Sequence, residues 1–284
     1  MTEPARDTKP TLVLGGTGKT GRRVAARLEA RGLPVRIGSR SAEPPFDWED
    51  PATWSSALDG VGSVYVSYFP DLAVSGAVET VGSFAELAVR SGVPRVVLLA
   101  GRGEPEHVLA EQAVRASGAE LTIMRSAWFM QNFSEGFILE DVLSGEVALP
   151  AGDTQEPFID ADDLADVAVA ALTQDGHVGE LYEVTGPRLV TFSEAVDEIA
   201  EASGREIRYR PVSIEQHAAA ATEQGVPPEF VQLLIYLFGE VLDGRNAHVA
   251  DGIQRALGLQ PRDFADYARD AAATGVWNVS AVVN

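Results

Sequence analysis

The first half of the chain alternates short β-branched runs with amphipathic stretches. Residues 11–16 (TLVLGG) are almost wholly apolar, which predicts a buried strand. Over 20–31 the apolar Val24, Ala25 and Leu28 share one helical face, with Arg22, Arg23, Arg27 and Arg31 largely off it and Gly32 as the stop. Further strands are predicted at 35–40, 61–67, 95–101 and 121–126, with helices over 78–90 and 106–117. Strands alternating with helices predict an α/β fold: a doubly wound parallel sheet with right-handed crossovers.

Beyond residue 126 the pattern loosens. The aromatic-rich stretch 128–143 is predicted to be helical in part. Residues 160–172 form a clear amphipathic helix whose acidic start complements the positive end of its dipole. A late strand is expected at 180–187, then mostly helix, with a short strand at 207–212. Pro227-Pro228 opens an apolar helix over 229–242, read as the core of a small C-terminal lobe. No repeat or low-complexity linker is visible.

A net charge of −20 repels phosphate backbones, so nucleic acid is not an expected partner. The absence of cysteine excludes disulfide and thiolate chemistry. The N-terminal stretch has no apolar core resembling a secretory signal. The longest apolar run is broken by Gln232, Gly239 and Glu240 and is too short to span a bilayer. A cytoplasmic protein without a membrane partner is expected, as monomer or homodimer. His177, His217 and His248 show no metal-ligand spacing, so no metal is expected.

The chemistry-bearing motif is VLGGTGKTGRRV, 13–24. Lys19-Thr20 after Gly18 resembles a triphosphate loop, but that loop needs its first glycine where Val13 stands. Gly15, Gly18 and Gly21 join a strand to a helix with the spacing of a dinucleotide turn. A plain βα turn is the alternative. The next strand ends Gly38-Ser39-Arg40, with no acid for a ribose 2′-hydroxyl. A guanidinium beside a hydroxyl suits a 2′-phosphate, so NADP(H) is favoured over NAD(H), with Arg40 as anchor and Ser39 and Lys19 assisting. A solvated loop arginine is the alternative.

In order along the chain, LGGTGKTGRR (14–23), GSRS (38–41), FDW (46–48), TW (53–54), RSAWFMQNF (125–133), PFIDADDLADVA (157–168), TGP (185–187) and GVPPEF (225–230) resemble the NmrA-like atypical short-chain dehydrogenases. The resemblance is to the bacterial relatives of the ergot-alkaloid dehydrogenases, with type-2 quinone oxidoreductases in the same group. It implies one Rossmann-like NAD(P)-binding domain over 1–284, its dinucleotide core at about 10–190 and a substrate lobe at about 128–160 and 205–284. It also implies that Gly15, Thr17, Gly18, Lys19 and Thr20 surround the pyrophosphate. Asp47 and Trp48, after a third strand, would lie near the adenine. Ser67, Tyr68 and Phe69 would line the ribose and nicotinamide side, with Ala100, Gly101 and 128–130 bordering the nicotinamide. Ser126 departs from the group, where many relatives carry proline after the arginine.

Most short-chain dehydrogenases use Tyr-x-x-x-Lys on the helix after 95–101. Here His107 and Glu111 occupy roughly those positions, and no tyrosine lies in that helix. Ketone reduction needs a proton delivered to oxygen. Without the usual donor, acceptors that need less help are expected: a cyclic iminium, a quinone or a conjugated carbonyl. Tyr68, Phe69, Trp128, Phe129, Met130, Phe133 and Phe158 are candidate walls of a small-molecule pocket, the later aromatics being equally readable as core. His107 reads either as a proton donor or substrate contact, or as half of a solvated helix pair with Glu111. A non-catalytic regulator that senses NAD(P) and acts on a protein partner would also lack the Tyr-Lys pair.

Overall fold

The computed structural model describes residues 9–279. In chain order the elements are β1 (Thr11–Leu14), α1 (Gly21–Ala30), β2 (Val35–Gly38), α2 (Trp54–Leu58), β3 (Ser63–Val66), α3 (Ala77–Arg90), β4 (Arg95–Gly101), α4 (Pro105–Ala116) and β5 (Glu120–Ser126). Next come α5 (Asn132–Glu135), α6 (Leu139–Ser144), β6 (Glu146–Leu149), β7 (Gln155–Glu156), α7 (Ala161–Thr173), β8 (Leu181–Val184) and β9 (Val190–Thr191). The last are α8 (Phe192–Ser203), β10 (Arg208–Pro211), α9 (Ile214–Glu223), α10 (Pro228–Tyr236), α11 (Gly252–Leu257) and α12 (Phe264–Ala273).

The chain divides into two compact units. The first holds the described residues up to Ser126, with Ala161–Val184 and Asp251–Leu259. Its six strands form one parallel sheet in the order β2-β1-β3-β4-β5-β8, as the alternating pattern predicts. Side chains alternate across it. Leu12, Leu14, Val64, Val96, Leu98 and Ile123 join α2, α3 and α4 in a core on one face. Helices α1 and α7 pack together on this unit as well. Arg23 and Arg27 of α1 donate to Asp162, and Arg27 also to Asp166, both on α7. The acidic start of α7 therefore serves an arginine row as well as its own dipole.

Between β2 and β3 the expectation of a further strand before Asp47-Trp48 fails. The described residues there form no strand, only a 3₁₀ turn (Pro51–Thr53) leading into α2. The FDW and TW motifs act as a clamp instead. Trp54 Nε1 donates to the Asp47 carbonyl at 2.7 Å, and the Asp47 N–H donates to Thr53 Oγ1 at 3.0 Å. Phe46, Trp48 and Trp54 pack around Phe84 of α3 with ring centroids 5.3–5.7 Å from it.

The second unit holds Ala127–Asp160, Thr185–Ala250 and the described residues from Gln260 onward. Residues 185–204 thus belong to it as well, and 251–259 to the first unit. It contains a parallel pair, β6 with β10, and an antiparallel pair, β7 with β9. Its core gathers Phe133, Phe158, Phe192, Phe264 and Trp277, and Trp277 Nε1 donates to the Phe133 carbonyl at 2.9 Å. The apolar helix at 229–242 is α10 continued by a π-helical turn, Leu237–Val241, with Phe238 and Leu242 in that core. Among the described residues no helix is long and apolar enough to cross a membrane.

Truncating Phe84 to alanine empties the centre of the aromatic clamp. The expected cost is about 3–5 kcal/mol, read from urea unfolding, with an unchanged unfolding midpoint as the contrary result.

Candidate active site

Strand order reverses between β1 and β3, and parallel sheets bind ligands beyond the carboxyl ends of their strands at such a reversal. The glycine loop sits there. Gly15 adopts φ +65°, and a Cβ on it would come 3.3 Å from Ser67, just beyond β3. The Gly18 N–H donates to the Gly15 carbonyl at 2.8 Å. A Cβ on Gly21 would lie 2.2 Å from that same carbonyl oxygen, so α1 rests on the loop with no clearance.

The loop suits an anion. Thr17 and Gly18 are exposed, Thr20 is buried, and its hydroxyl does not cap α1. No acid of α1 itself occupies its first turn, and the positive end of a helix dipole favours an anion there. Lys19 is half-buried, and burial, with Arg23 and Arg22 nearby, pushes its pKa down to about 8. A bound phosphate would relieve that repulsion.

After β2, the Phe46 and Ala42 N–H groups both donate to the Ser39 carbonyl, at 2.9 and 3.2 Å, closing a tight loop. The buried Phe46 ring anchors this loop in the core. Arg40 stands exposed beside Ser39, and no described side chain pairs with it. Trp48 is half-buried in the aromatic clamp, 4.9 Å from the Tyr68 ring. The Asp47 carboxylate accepts the Glu49 N–H at 3.1 Å. Ser67 and Tyr68 are half-buried, Phe69 is 65% exposed, Ala100 is buried and Gly101 half-buried. The first unit therefore brings the glycine loop, Ser67 and Tyr68 to the carboxyl end of its sheet, with Ala100-Gly101 at the end of the neighbouring strand.

His107 overturns the reading of a solvated pair with Glu111. It is buried, and its partner is not Glu111. Glu111 is buried too and accepts a bidentate pair from Arg125, both bonds 2.7 Å. The His107 ring lies between other groups. Nδ1 accepts the Gly101 N–H, Nε2 is 2.8 Å from Asp71 Oδ1, and Nε2 is 3.2 Å from Glu104 Oε2. Burial opposes the imidazolium, but Asp71 and Glu104 outweigh it and pull His107 above the usual histidine range. The Gly101 N–H acts the other way, because a protonated Nδ1 has no lone pair to receive it. Burial, with Asp71 and Glu106, pushes Glu104 up to about 7.

Asp71, Glu104 and His107 are metal-ligand types with ligand atoms within 4.8 Å of one another. The tautomer opposes a metal at Nε2, since Gly101 leaves the ring proton on that nitrogen. Asp71 and Glu104 escaped the sequence reading. Glu104 stands three residues before His107 and was legible as a neighbour, whereas Asp71 arrives only through the fold.

In the second unit Met130, Phe133 and Phe158 are at most 1% exposed. They are core and not pocket walls, because Phe133 and Phe158 are enclosed by Phe192 and Phe264. Trp128 and Phe129 stay half-buried. The backbone at 128–130 is tied to Ile159: the Ile159 N–H donates to the Trp128 carbonyl and the Met130 N–H to the Ile159 carbonyl, both 2.9 Å.

No family model matches the chain. It is 30% identical to an NAD(P)H azoreductase of Xenophilus azovorans, over 92% of this chain and 98% of that one. It is also 30% identical to an agroclavine dehydrogenase of Claviceps fusiformis, over 91% and 96%. The chain belongs to the NmrA-like atypical short-chain dehydrogenase/reductase family. It is an NAD(P)H-dependent reductase. The fold matches that of an NADPH-dependent quinone oxidoreductase of Escherichia coli solved with NADPH, at TM-score 0.74 and 21% identity, over 92% and 99% of the two chains.

Two outcomes are expected of this NmrA-like site. Gly21→Ala should drive a methyl into the Gly15 carbonyl and weaken NADPH binding at least tenfold, or about 1.4 kcal/mol. Fluorescence titration measures it, and an unchanged Kd contradicts the close approach. Stability should also fall as pH rises. Glu104 ionises near 4.5 when unfolded and near 7 when folded, so its contribution is full below 4.5 and lost by about 7. The raised His107 has the same sign. The loss is on the order of 3 kcal/mol, and urea unfolding at low and high pH should show Glu104→Gln flattening it.

Proposed function

We propose that this reductase uses NADPH in preference to NADH and delivers hydride to a small cyclic iminium, quinone or conjugated carbonyl, without a Tyr-Lys pair. The observation that carries the acceptor class is α4, where His107 and Glu111 replace the expected pair and Glu111 is locked to Arg125. An iminium becomes a neutral amine on gaining hydride and needs no proton. A quinone is activated enough to be reduced with modest help. The relatives named as an azoreductase and an agroclavine dehydrogenase support reduction of conjugated or nitrogen-containing acceptors.

The cofactor preference rests on Arg40 and Ser39, with no carboxylate on that loop end. When bound, the dinucleotide supplies the hydride. The chain's own work is binding and orientation: the α1 N-terminus and Lys19 would take the pyrophosphate, and Arg40 the 2′-phosphate. Ser67, Tyr68 and Ala100-Gly101 would border the nicotinamide, and Phe69, Trp128 and Phe129 remain the candidate contacts to the acceptor. Rate would come mainly from holding the two reactants in register.

Arg40→Ala should weaken NADPH binding about tenfold to a hundredfold while leaving NADH affinity in place. An unchanged preference sinks the 2′-phosphate role. NADPH consumption with a panel of quinones, conjugated carbonyls and cyclic imines tests the reaction. Tight binding with no turnover on any acceptor sinks the reductase mechanism.

A further inference from the structure

The His107 ring carries one hydrogen bond that fixes its chemistry. Because the Gly101 N–H occupies Nδ1, the neutral ring keeps its proton on Nε2. That single proton faces two carboxylates, Asp71 at 2.8 Å and Glu104 at 3.2 Å. One N–H cannot satisfy two anions so close together, and carboxyl groups sharing a site do not both ionise together near neutrality. Solvation decides which keeps a proton. The Asp71 side chain is 23% exposed, whereas Glu104 is 95% withdrawn from water, at 5% exposure. Glu104 Oε2 accepts no hydrogen bond among the described residues.

We propose that Asp71 and Glu104, whose carboxylates lie 2.8 and 3.2 Å from His107 Nε2, store one proton on Glu104 and supply it to acceptors whose reduction requires one. This rests on the hydride-transfer reading above. Three features place the store. Gly101 ends β4, and Asp71 lies in the loop after β3, both at the carboxyl end of the sheet where ligands bind. Gly101 is small enough to admit the carboxyl: a Cβ there would fall within van der Waals overlap of Glu104 Oε1 and 3.0 Å from His107 Cε1. The store also occupies the helix position from which the tyrosine of other short-chain dehydrogenases is missing.

The surrounding charges favour a proton on Glu104. Burial, Asp71 from the β3 loop and Glu106 of α4 raise Glu104 against the opposing pull of His107, while Glu111 acts on His107 and not on Glu104. The cations nearby are engaged elsewhere, Arg125 with Glu111 and Arg102 with Glu183 at 3.3 Å. A proton placed on His107 instead would set Nδ1–H against the Gly101 N–H.

The step balances simply. When a quinone or conjugated carbonyl gains hydride, its oxygen gains an electron pair. The Glu104 O–H bond breaks as an O–H bond forms on that oxygen, or a C–H bond on the carbon conjugated to it. Glu104 is left as carboxylate, and water reached through the half-exposed Asp71 returns the proton. An iminium gaining hydride leaves the store untouched.

Infrared difference spectra of the full-length protein without dinucleotide, taken from about pH 5 to about 9, test the store directly. A protonated-carboxyl C=O band should titrate near neutrality and vanish in Glu104→Gln, and Asp71→Asn should move its midpoint down. No such band, or a band indifferent to Glu104→Gln, overturns the store. Turnover tests delivery. Glu104→Gln should lower kcat with a conjugated carbonyl about a hundredfold more than with an iminium and abolish the alkaline fall of the wild-type kcat profile. Equal losses with both acceptors overturn delivery. If the wild-type protein reduces nothing, the hydride-transfer reading falls and delivery with it, while the band alone still decides whether the pair holds a proton.

Discussion

The first unit's site depends on one close approach, that of the α1 backbone at Gly21 to the Gly15 carbonyl. Any side chain at 21 would lift the helix off the loop, and with it the N–H groups that point beyond the sheet. The same carbonyl accepts the Gly18 N–H, so one oxygen organises both the turn and the helix start. Because β1 lies inside the sheet, between β2 and β3, this contact places the positive helix end at the strand-order reversal. The fold's topology and the anion site are consequences of the same tight turn.

Positive charge gathered at that turn would be unfavourable without a frame. Arg23 and Arg27 are compensated by Asp162 and Asp166, whereas the ionised forms of Lys19 and Arg22 are penalised by burial and by their cationic neighbours. A similar division governs the loop after β2. Phe46 anchors the loop in the aromatic core, while Arg40 projects from it with no partner among the described residues. In both places packing and paired charges fix the backbone around a cation.

The alternating pattern made β1 to β5 and their helices legible, because period-2 and period-3.6 hydrophobicity are strong over those lengths. The glycine spacing likewise separated a dinucleotide turn from a triphosphate loop at Val13. The FDW and TW motifs misled on local structure. Their residues looked like the flank of a strand, but the aromatic rings bond to one another and to α3, a long-range choice that no local period encodes. Met130, Phe133 and Phe158 failed for a related reason: aromatic density is compatible with a pocket or a core, and only burial tells them apart. Asp71 was invisible since its relation to His107 spans 36 residues.

A Tyr-Lys pair and a carboxyl pair solve the proton problem by opposite means. In the first, a lysine cation lowers the affinity of a phenol for its proton. In the second, burial and a neighbouring anion raise the affinity of a carboxyl that would otherwise be ionised at neutral pH. Under the proposed reading α4 does not use the first solution: it carries no tyrosine, and Glu111, at roughly the lysine position, has the wrong sign and is neutralised by Arg125. An acid at that position would suppress a phenol's ionisation; here it is paired with Arg125, and the anions that favour a proton on Glu104 are Asp71 and Glu106. Retention of a proton at this end of α4 therefore falls to Asp71 and Glu104. Together they convert a site that activates tyrosine into one that retains a carboxylic proton, held beside the strand end where Gly101 gives it room.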